Sequence, residues 1–441
     1  MPPTLNDAAT GAELYALVQE LYPICRSITG DGVRRTLEIL GRYAPLEVTE
    51  VPSGTPVLDW FVPNEWNIRD AWIADASGRR VVDFRASNLH VVSYSTPIHA
   101  QLKLAELKQH LYSLPKQPEA IPYRTSYYEE NWGFCLSHRQ LESLTDDEYE
   151  VCIDSALEPG SLTYAEALLP GSATGEFLIS AHVCHPSLCD DNLSSLAVAA
   201  LLARELAARK LRVAVRFLFA PGTIGALTWL SRNRDATRRV SHGLTLTCLG
   251  DAHAFTFKRT FEGTREIDRI AELALRDLGL PHQLIDFFPY GYDERQFGSP
   301  GFRLPVASFM RGRHGQFPEY HTSLDNLDFV DAARLAESYR AVRSIVDIVQ
   351  ANETFLNQEP FGEPQLGRRG LYRALGGTQL PDLQFAMLWV LNMSDGAHSL
   401  LDIAARSKLA FSILREAVDL LLQYGLLAEV APAPKHQENA S

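Results

Sequence analysis

The segment Phe177–Ser195, FLISAHVCHPSLCDDNLSS, constrains the fold of this chain more than any other. Phe177–Ile179 is a short apolar run suited to a buried strand, and it ends in Ser180-Ala181-His182 before Pro186 breaks the extended pattern. Asp190, Asp191 and Asn192 then open into Leu193–Leu202, a strong helix former whose acidic and polar start suits a helix N-terminus. A strand followed at once by a helix is one unit of an open α/β sheet, where ligands collect beyond the carboxyl ends of the strands. Two histidines and two aspartates stand there, and a metal ion is the economical explanation.

The surrounding text repeats the unit. Strands are expected at Tyr149–Ile153, Leu162–Leu168, Phe177–Ala181, Arg212–Phe219, Leu244–Leu249 and Leu304–Phe309. Helices alternate with the later ones at Leu193–Arg209, Ile224–Arg232 and Glu266–Leu278, and Ala332–Ile348 closes the region. This alternation implies an α/β layer fold with a largely parallel central sheet and helices on both faces. Two helices, Glu13–Leu21 and Gly32–Tyr43, and a strand, Leu46–Val51, come first. From about Val57 to Arg124 short alternating runs rich in Trp, Val, Tyr and Pro read as a small β-rich insertion. The aromatic segment Ile121–Cys135 either lines a cleft or makes a tight junction. Beyond a linker at Gly362–Gln365, helices at Phe385–Val390, Leu400–Ser407 and Ile413–Tyr424 with a β-like end at Gly425–Val430 outline a winged helix. The expected domains are therefore residues 1–52 with 126–356, an insert at 53–125, and a winged-helix-like unit at 362–430. The last residues, Ala431–Ser441, read as disordered.

Charge narrows the partners. A net charge of −13 supplies no positive field for polyanions, so neither nucleic acid nor an anionic membrane is expected as a partner. The winged-helix segment balances its basic residues with acidic ones, which favours a packing role or a homo-oligomer contact over DNA. No signal-like start and no membrane-length apolar run occurs, and six cysteines without a paired framework suit reduced thiols, so the cytoplasm is the expected compartment.

Three further places match the opening segment in kind. Asp251 follows the strand Leu244–Leu249 through Gly250, His321 stands in Pro318–Asp325, and Asp293-Glu294-Arg295 lies in a loop between Gly291 and Gly298. Imidazole nitrogen with carboxylate oxygen is a donor mix favoured by zinc in hydrolytic sites. Taken in order, His182, Asp191-Asn192-Leu193-Ser194-Ser195, Ile224-Gly225, Asp251 and Tyr320–Asp325 resemble the zinc-dependent aminopeptidase superfamily that also contains glutaminyl cyclases. More closely, the whole chain resembles a bacterial aminopeptidase-like family, linked with polysaccharide biosynthesis, that adds a small inserted domain and a C-terminal winged helix. The resemblance implies a three-layer α/β sandwich with a mixed, largely parallel sheet. It also implies zinc held by His182, Asp191, Asp251 and His321.

The departures from that pattern shape the chemistry expected. Where the superfamily has two adjacent glutamates before I-G, this sequence reads Pro221-Gly222-Thr223, so one metal ion is expected rather than two. The superfamily's imidazole-orienting Asp is here Cys184. Proton transfer then falls to Glu294 or Asp293, with Glu319 a further candidate, and Glu294 is preferred. Arg311, His314 and Tyr320 are expected to bind substrate; Arg311, Arg313 and His314 either hold a substrate carboxylate or phosphate or form a solvated basic loop that needs no function. His185 is either a further ligand or a solvent-facing neighbour of Pro186. Asp190 is read as supporting the helix start, and Asp325 as a supporting or turn residue. Cys184 and Cys189 are either metal thiolates or small buried hydrophobes. The reading is a metal-dependent amide hydrolase of aminopeptidase type acting on a small peptide or amide. The alternatives are a deacylase of a small metabolite or amino sugar, and a non-catalytic scaffold.

Overall fold

The computed structural model describes residues 7–371 and 382–430; the tail read as disordered, 431–441, lies outside the described residues. The chain divides into two compact units, residues 1–267 with 281–342, and residues 268–280 with 343–441.

The first unit is built on an eight-stranded sheet: β1 (Glu47–Pro52), β2 (Ser161–Leu169), β3 (Glu176–His182), β4 (Ala214–Ala220), β5 (Val240–Leu246), β6 (Phe255–Lys258), β7 (His282–Ile285) and β8 (Val306–Met310), in the order β1-β2-β4-β3-β5-β8-β6-β7. β3 lies parallel to both neighbours, β5 is parallel to β8 and β6 to β7; the pairs β1–β2, β2–β4 and β6–β8 are antiparallel. The sheet is thus mixed with a parallel centre. Every residue of β3 is buried, as expected of a strand covered on both faces. The helices Ser195–Ala207 and Ile224–Arg232 follow β3 and β4 directly, so both strand ends open into loops that turn into helices.

The run Tyr149–Ile153 departs from expectation. It belongs to Glu148–Glu158, part of a separate antiparallel sheet with Arg80–Asp83, Glu65–Ala74 and Ile98–Lys103. Its burial alternates residue by residue, the period-two pattern of a half-covered antiparallel strand. β6 and β7 were not foreseen, because four-residue runs such as Phe-Thr-Phe-Lys carry too little periodicity to separate strand from loop.

Two polar features cross this otherwise apolar sheet. Ser180, Thr245, Ser308 and Lys258 are successive partners in register on β3, β5, β8 and β6, all essentially buried. On β4, Arg216 donates from Nε to Glu176 at 2.7 Å and also pairs with Glu166. Burial works to raise the Glu176 carboxyl, but hydrogen bonds from Arg216 and Arg239 outweigh it and leave the pKa lowered.

The second unit carries the winged helix. Thr354–Asn357 is the middle strand of a three-stranded antiparallel sheet with Asp395–Ser399 and Leu427–Glu429. Helices Asp382–Met393, Leu400–Ser407 and Phe411–Gln423 pack around Leu400, Ile403, Leu414, Val418 and Leu421. Ser399 opens the middle one with a capping box. Its hydroxyl accepts the Asp402 N–H, and the Asp402 carboxylate accepts the Ser399 N–H at 2.8 Å.

Arg216→Met leaves Glu176 and Glu166 without their shared cation and is expected to cost about 3–5 kcal/mol, read as a lower urea midpoint at neutral pH. Because the folded-state pKa of Glu176 is depressed, the pair's contribution is full above the ordinary carboxylate range and is lost as pH falls through the folded value. The difference between wild type and variant should therefore shrink in acid. A midpoint that Arg216→Met leaves unchanged at pH 7 contradicts this account.

Candidate metal centre

β3 ends at His182, and the loop after it carries Cys184 and His185 before the irregular turn Cys189–Ser194 enters the helix. That turn is fixed from a distance. Asp325 accepts the N–H of Asp190 at 2.6 Å and of Asp191 at 3.0 Å through its two side-chain oxygens, and its own backbone carbonyl accepts the Cys189 N–H. The Asp191 carboxylate is thereby aimed back at the strand end.

Four side chains meet there. His182 Nε2 lies 2.9 Å from Asp191 Oδ1 and 3.1 Å from His185 Nδ1, and His185 Nδ1 lies 3.8 Å from the same oxygen. His321 Nε2 stands 3.0 Å from the other oxygen, Asp191 Oδ2. His321 holds φ = 55°, a left-handed backbone that a non-glycine residue adopts at some cost, and its carbonyl is anchored by the Tyr123 N–H at 2.8 Å. Burial holds the His182 and His185 imidazoles below their ordinary pKa, so both are neutral at pH 7. Burial pushes the Asp191 carboxyl up, but the three imidazoles outweigh it, and it stays well below the usual carboxylate range.

Neutral imidazoles around an ionised carboxylate form a donor set for a cation. Ligands on a tetrahedral zinc with bonds of about 2.0–2.1 Å stand roughly 3.3 Å apart, and the spacings of 2.9, 3.1 and 3.8 Å among His182, His185 and Asp191 bracket that edge. These three are the residues that fit a metal ion among the described residues. Metal on His182 Nε2 requires the ring proton on Nδ1, which faces Asn192 Nδ2 at 3.1 Å. Asn192 Oδ1 is buried without a hydrogen-bond partner among the described residues, and turning the amide would offer that proton an acceptor at the cost of the bonds Nδ2 donates to the His182 and Leu246 carbonyls.

The other sequence candidates sit as follows. Asp251 is outside the cluster: Oδ1 accepts the His253 N–H at 2.6 Å and Oδ2 accepts the Gly312 N–H at 2.8 Å. It contacts Asp190, whose carboxyl burial and the Asp251 charge push well above its ordinary pKa; Asp190 Oδ1 also takes the Gly250 N–H at 2.6 Å. These two carboxyls brace the loop from beneath. Glu294 is saturated, pairing with Lys258 Nζ at 2.7 Å through Oε1 and accepting the Tyr292 N–H at 2.9 Å through Oε2. Asp293 is fully buried with neither side-chain oxygen hydrogen-bonded among the described residues, and burial, then the Glu294 charge, hold its pKa far above the usual range. Arg311 spends its donors on Ser338, the His253 and Arg334 carbonyls and Glu337. His314 Nε2 meets Thr247 Oγ1 at 3.2 Å, and Tyr320 stacks on His321 with centroids 4.0 Å apart.

Sequence reasoning missed Tyr123 and Tyr292. Tyr123 stands edge-on to His185 and His321, 5.1 and 5.2 Å between centroids, in a pocket of about 220 Å³ lined also by Arg124, Tyr127, Cys184 and Gly222. The aromatic segment Ile121–Cys135 thus reaches the cleft. The Tyr292 ring stacks 3.7 Å from the His182 ring, and its hydroxyl lies 3.2 Å from Cys184 Sγ. A Cβ built on Gly222 would fall 2.0 Å from Tyr292 Cε1. The space a larger residue 222 would need is therefore filled by this tyrosine.

Residues 15–352 match a family described as a domain of unknown function (DUF4910), and residues 353–429 match a winged helix-turn-helix family. A Clostridium acetobutylicum protein, provisionally named a polysaccharide biosynthesis protein with an aminopeptidase-like domain, is 50% identical over 423 residues, 96% of this chain and 97% of that protein. A crystal structure from Clostridium acetobutylicum, provisionally called a peptidase, superposes with a TM-score of 0.92 at 49% identity, covering 96% of this chain and 98% of that one. The zinc aminopeptidase BSAP from Bacillus subtilis superposes with a TM-score of 0.57 at 14% identity over 77% of this chain and 94% of its own, a likeness of fold.

Isothermal titration of the metal-free protein with zinc is expected to lose at least about 100-fold in affinity on His185→Ala, whereas Asp251→Asn changes affinity far less. Equal losses in the two variants would contradict the ligand set. Gly222→Ala is expected to cost roughly 1–3 kcal/mol by overpacking against Tyr292, and less in a Tyr292→Ala background, as read from denaturant midpoints.

Proposed function

We propose that this chain, which belongs to the aminopeptidase-like DUF4910 family with a C-terminal winged helix, is a metal-dependent amide hydrolase of aminopeptidase type. The observation that carries this reading is the convergence of His182 Nε2, His185 Nδ1 and Asp191 Oδ1 at zinc-like spacing, with His321 on the second carboxylate oxygen, beside an aromatic-walled pocket. A zinc ion so held supplies Lewis acidity and lowers the pKa of water. One ion is proposed rather than two, because Gly222 and Thr223 offer no carboxylate and Tyr292 packs against Gly222.

The rest of the chemistry belongs to the chain. Tyr123 and Tyr127, joined by a 3.0 Å hydroxyl–hydroxyl hydrogen bond, and Arg124 wall the pocket and orient a small amide against the cluster. Hydrolysis also needs a group that takes a proton from water and returns it to the leaving amine. Of the expected carboxylates, Glu294 is held by Lys258 and the Tyr292 N–H, whereas Asp293 has no competing hydrogen bond among the described residues, and burial raises its pKa, which makes its ionised form a stronger base. We assign the proton transfer to Asp293, with Glu294 fixing the Tyr292–Asp293 turn. The Clostridium acetobutylicum relative is named for polysaccharide biosynthesis, so N-acyl amino sugars, the alternative substrate class, are tested alongside aminoacyl amides.

The zinc-loaded protein is expected to hydrolyse at least one member of a panel of aminoacyl amides and N-acyl amino sugars. Asp293→Asn should lower kcat by about 10²–10⁴-fold with zinc affinity retained. Because a raised carboxyl pKa costs stability once pH exceeds the unfolded value, the same variant should melt higher than wild type at pH 7, with the gain fading toward acid. Zinc binding without turnover on either class of substrate would leave a scaffold as the better description.

A further inference from the structure

A second pocket, of about 230 Å³, opens beside the cluster and is lined by Lys258, Phe288, Tyr290, Met310, Arg313 and His314 among others. It is joined to the metal cluster by ring contacts: His314 stacks 6.2 Å from Tyr292, whose ring lies 3.7 Å from that of His182. An occupant would therefore lie two ring contacts away from His182.

The charges of this pocket do not balance. Lys258 Nζ is neutralised by Glu294 at 2.7 Å, is further held by the Tyr290 carbonyl at 2.8 Å, and sits 4.2 Å from the Phe288 ring centroid. Arg313 is half-buried on the same wall, 5.8 Å from the Phe288 centroid, and makes no ion pair among the described residues. One cation thus remains uncompensated over an aromatic surface. A guanidinium presents a planar fork that matches a carboxylate with two parallel N–H···O bonds. A single free positive charge suits a monoanion better than a phosphate dianion. The volume is below the roughly 300–1,000 Å³ of pockets that take drug-sized ligands and fits one amino acid or one sugar.

We propose that this pocket seats a carboxylate carried by the substrate, with Arg313 as its partner, so that the preferred substrates are amides that also bear an acidic group. That the occupant is a substrate rests on the hydrolase reading; that the pocket binds a carboxylate does not. The test is isothermal titration of the metal-free full-length chain at pH 7 with two isosteric probes, N-acetylglutamate α-amide and N-acetylglutamine α-amide. The first carries one carboxylate and the second none.

Wild type is expected to bind the acidic probe about tenfold more tightly than the neutral one. Arg313→Met should erase that preference, and Arg313→Lys should keep part of it. Equal affinity for the two probes in the wild-type chain overturns the proposal with no variant needed, and so does a preference that survives Arg313→Met. If the probes are discriminated while no amide is cleaved, the pocket assignment stands and the hydrolase reading falls. If neutral amides are turned over while the probes bind alike, the hydrolase reading stands and the pocket assignment falls.

Discussion

A single carboxylate decides the geometry of the candidate site. Asp325 takes the N–H groups of Asp190 and Asp191 onto its two oxygens, closing a link between loops 135 residues apart in sequence. That link helps hold the Cys189–Ser194 turn out of helical geometry, with Asp191 at φ −107° and ψ 81° and its carboxylate against His182 at the end of β3. The cost of burying Asp325 appears in its own pKa, pushed up by burial to about 7 despite the N–H groups that favour its ionised form. The site thus depends on a strained electrostatic arrangement beneath it, where Asp190 and Asp251 crowd the same space.

Much of this was legible in the sequence. The apolar run at Phe177 and the helix former after Asn192 placed the site at a strand end, because both signals are local and strong. His182, Asp191 and His321 could be named together because their order along the chain resembles a known pattern. His185 could not be settled, since a histidine before a proline reads equally as ligand or surface residue until the loop path is known. Asp251 illustrates the opposite failure. It occupies a strand end and the matching place in the order, yet two backbone N–H groups and a neighbouring carboxyl claim it, and nothing local announces those partners.

Where the resembled pattern has paired glutamates, this chain has a different packing around Gly222. Glycine at 222 admits the flat face of Tyr292, which covers His182 and takes Cys184 as its polar neighbour. The Tyr292 ring occupies the space that a side chain at position 222 would need. Among the described residues, Asp191 is the carboxylate that contacts His182 and His321. Tyr292 also brings Asp293 and Glu294 into the vicinity as the next residues of the same turn.

The separation of the donors along the chain has a consequence for how the protein matures. His182, His185 and Asp191 are close neighbours in sequence, but His321 and the Asp325 that shapes their loop emerge from synthesis much later. A nascent chain that has reached only the first group has donors without the brace, and would hold a cation loosely in many arrangements. A cation that required all of these donors would be held in one arrangement only after the segment carrying His321 and Asp325 has docked onto the first group.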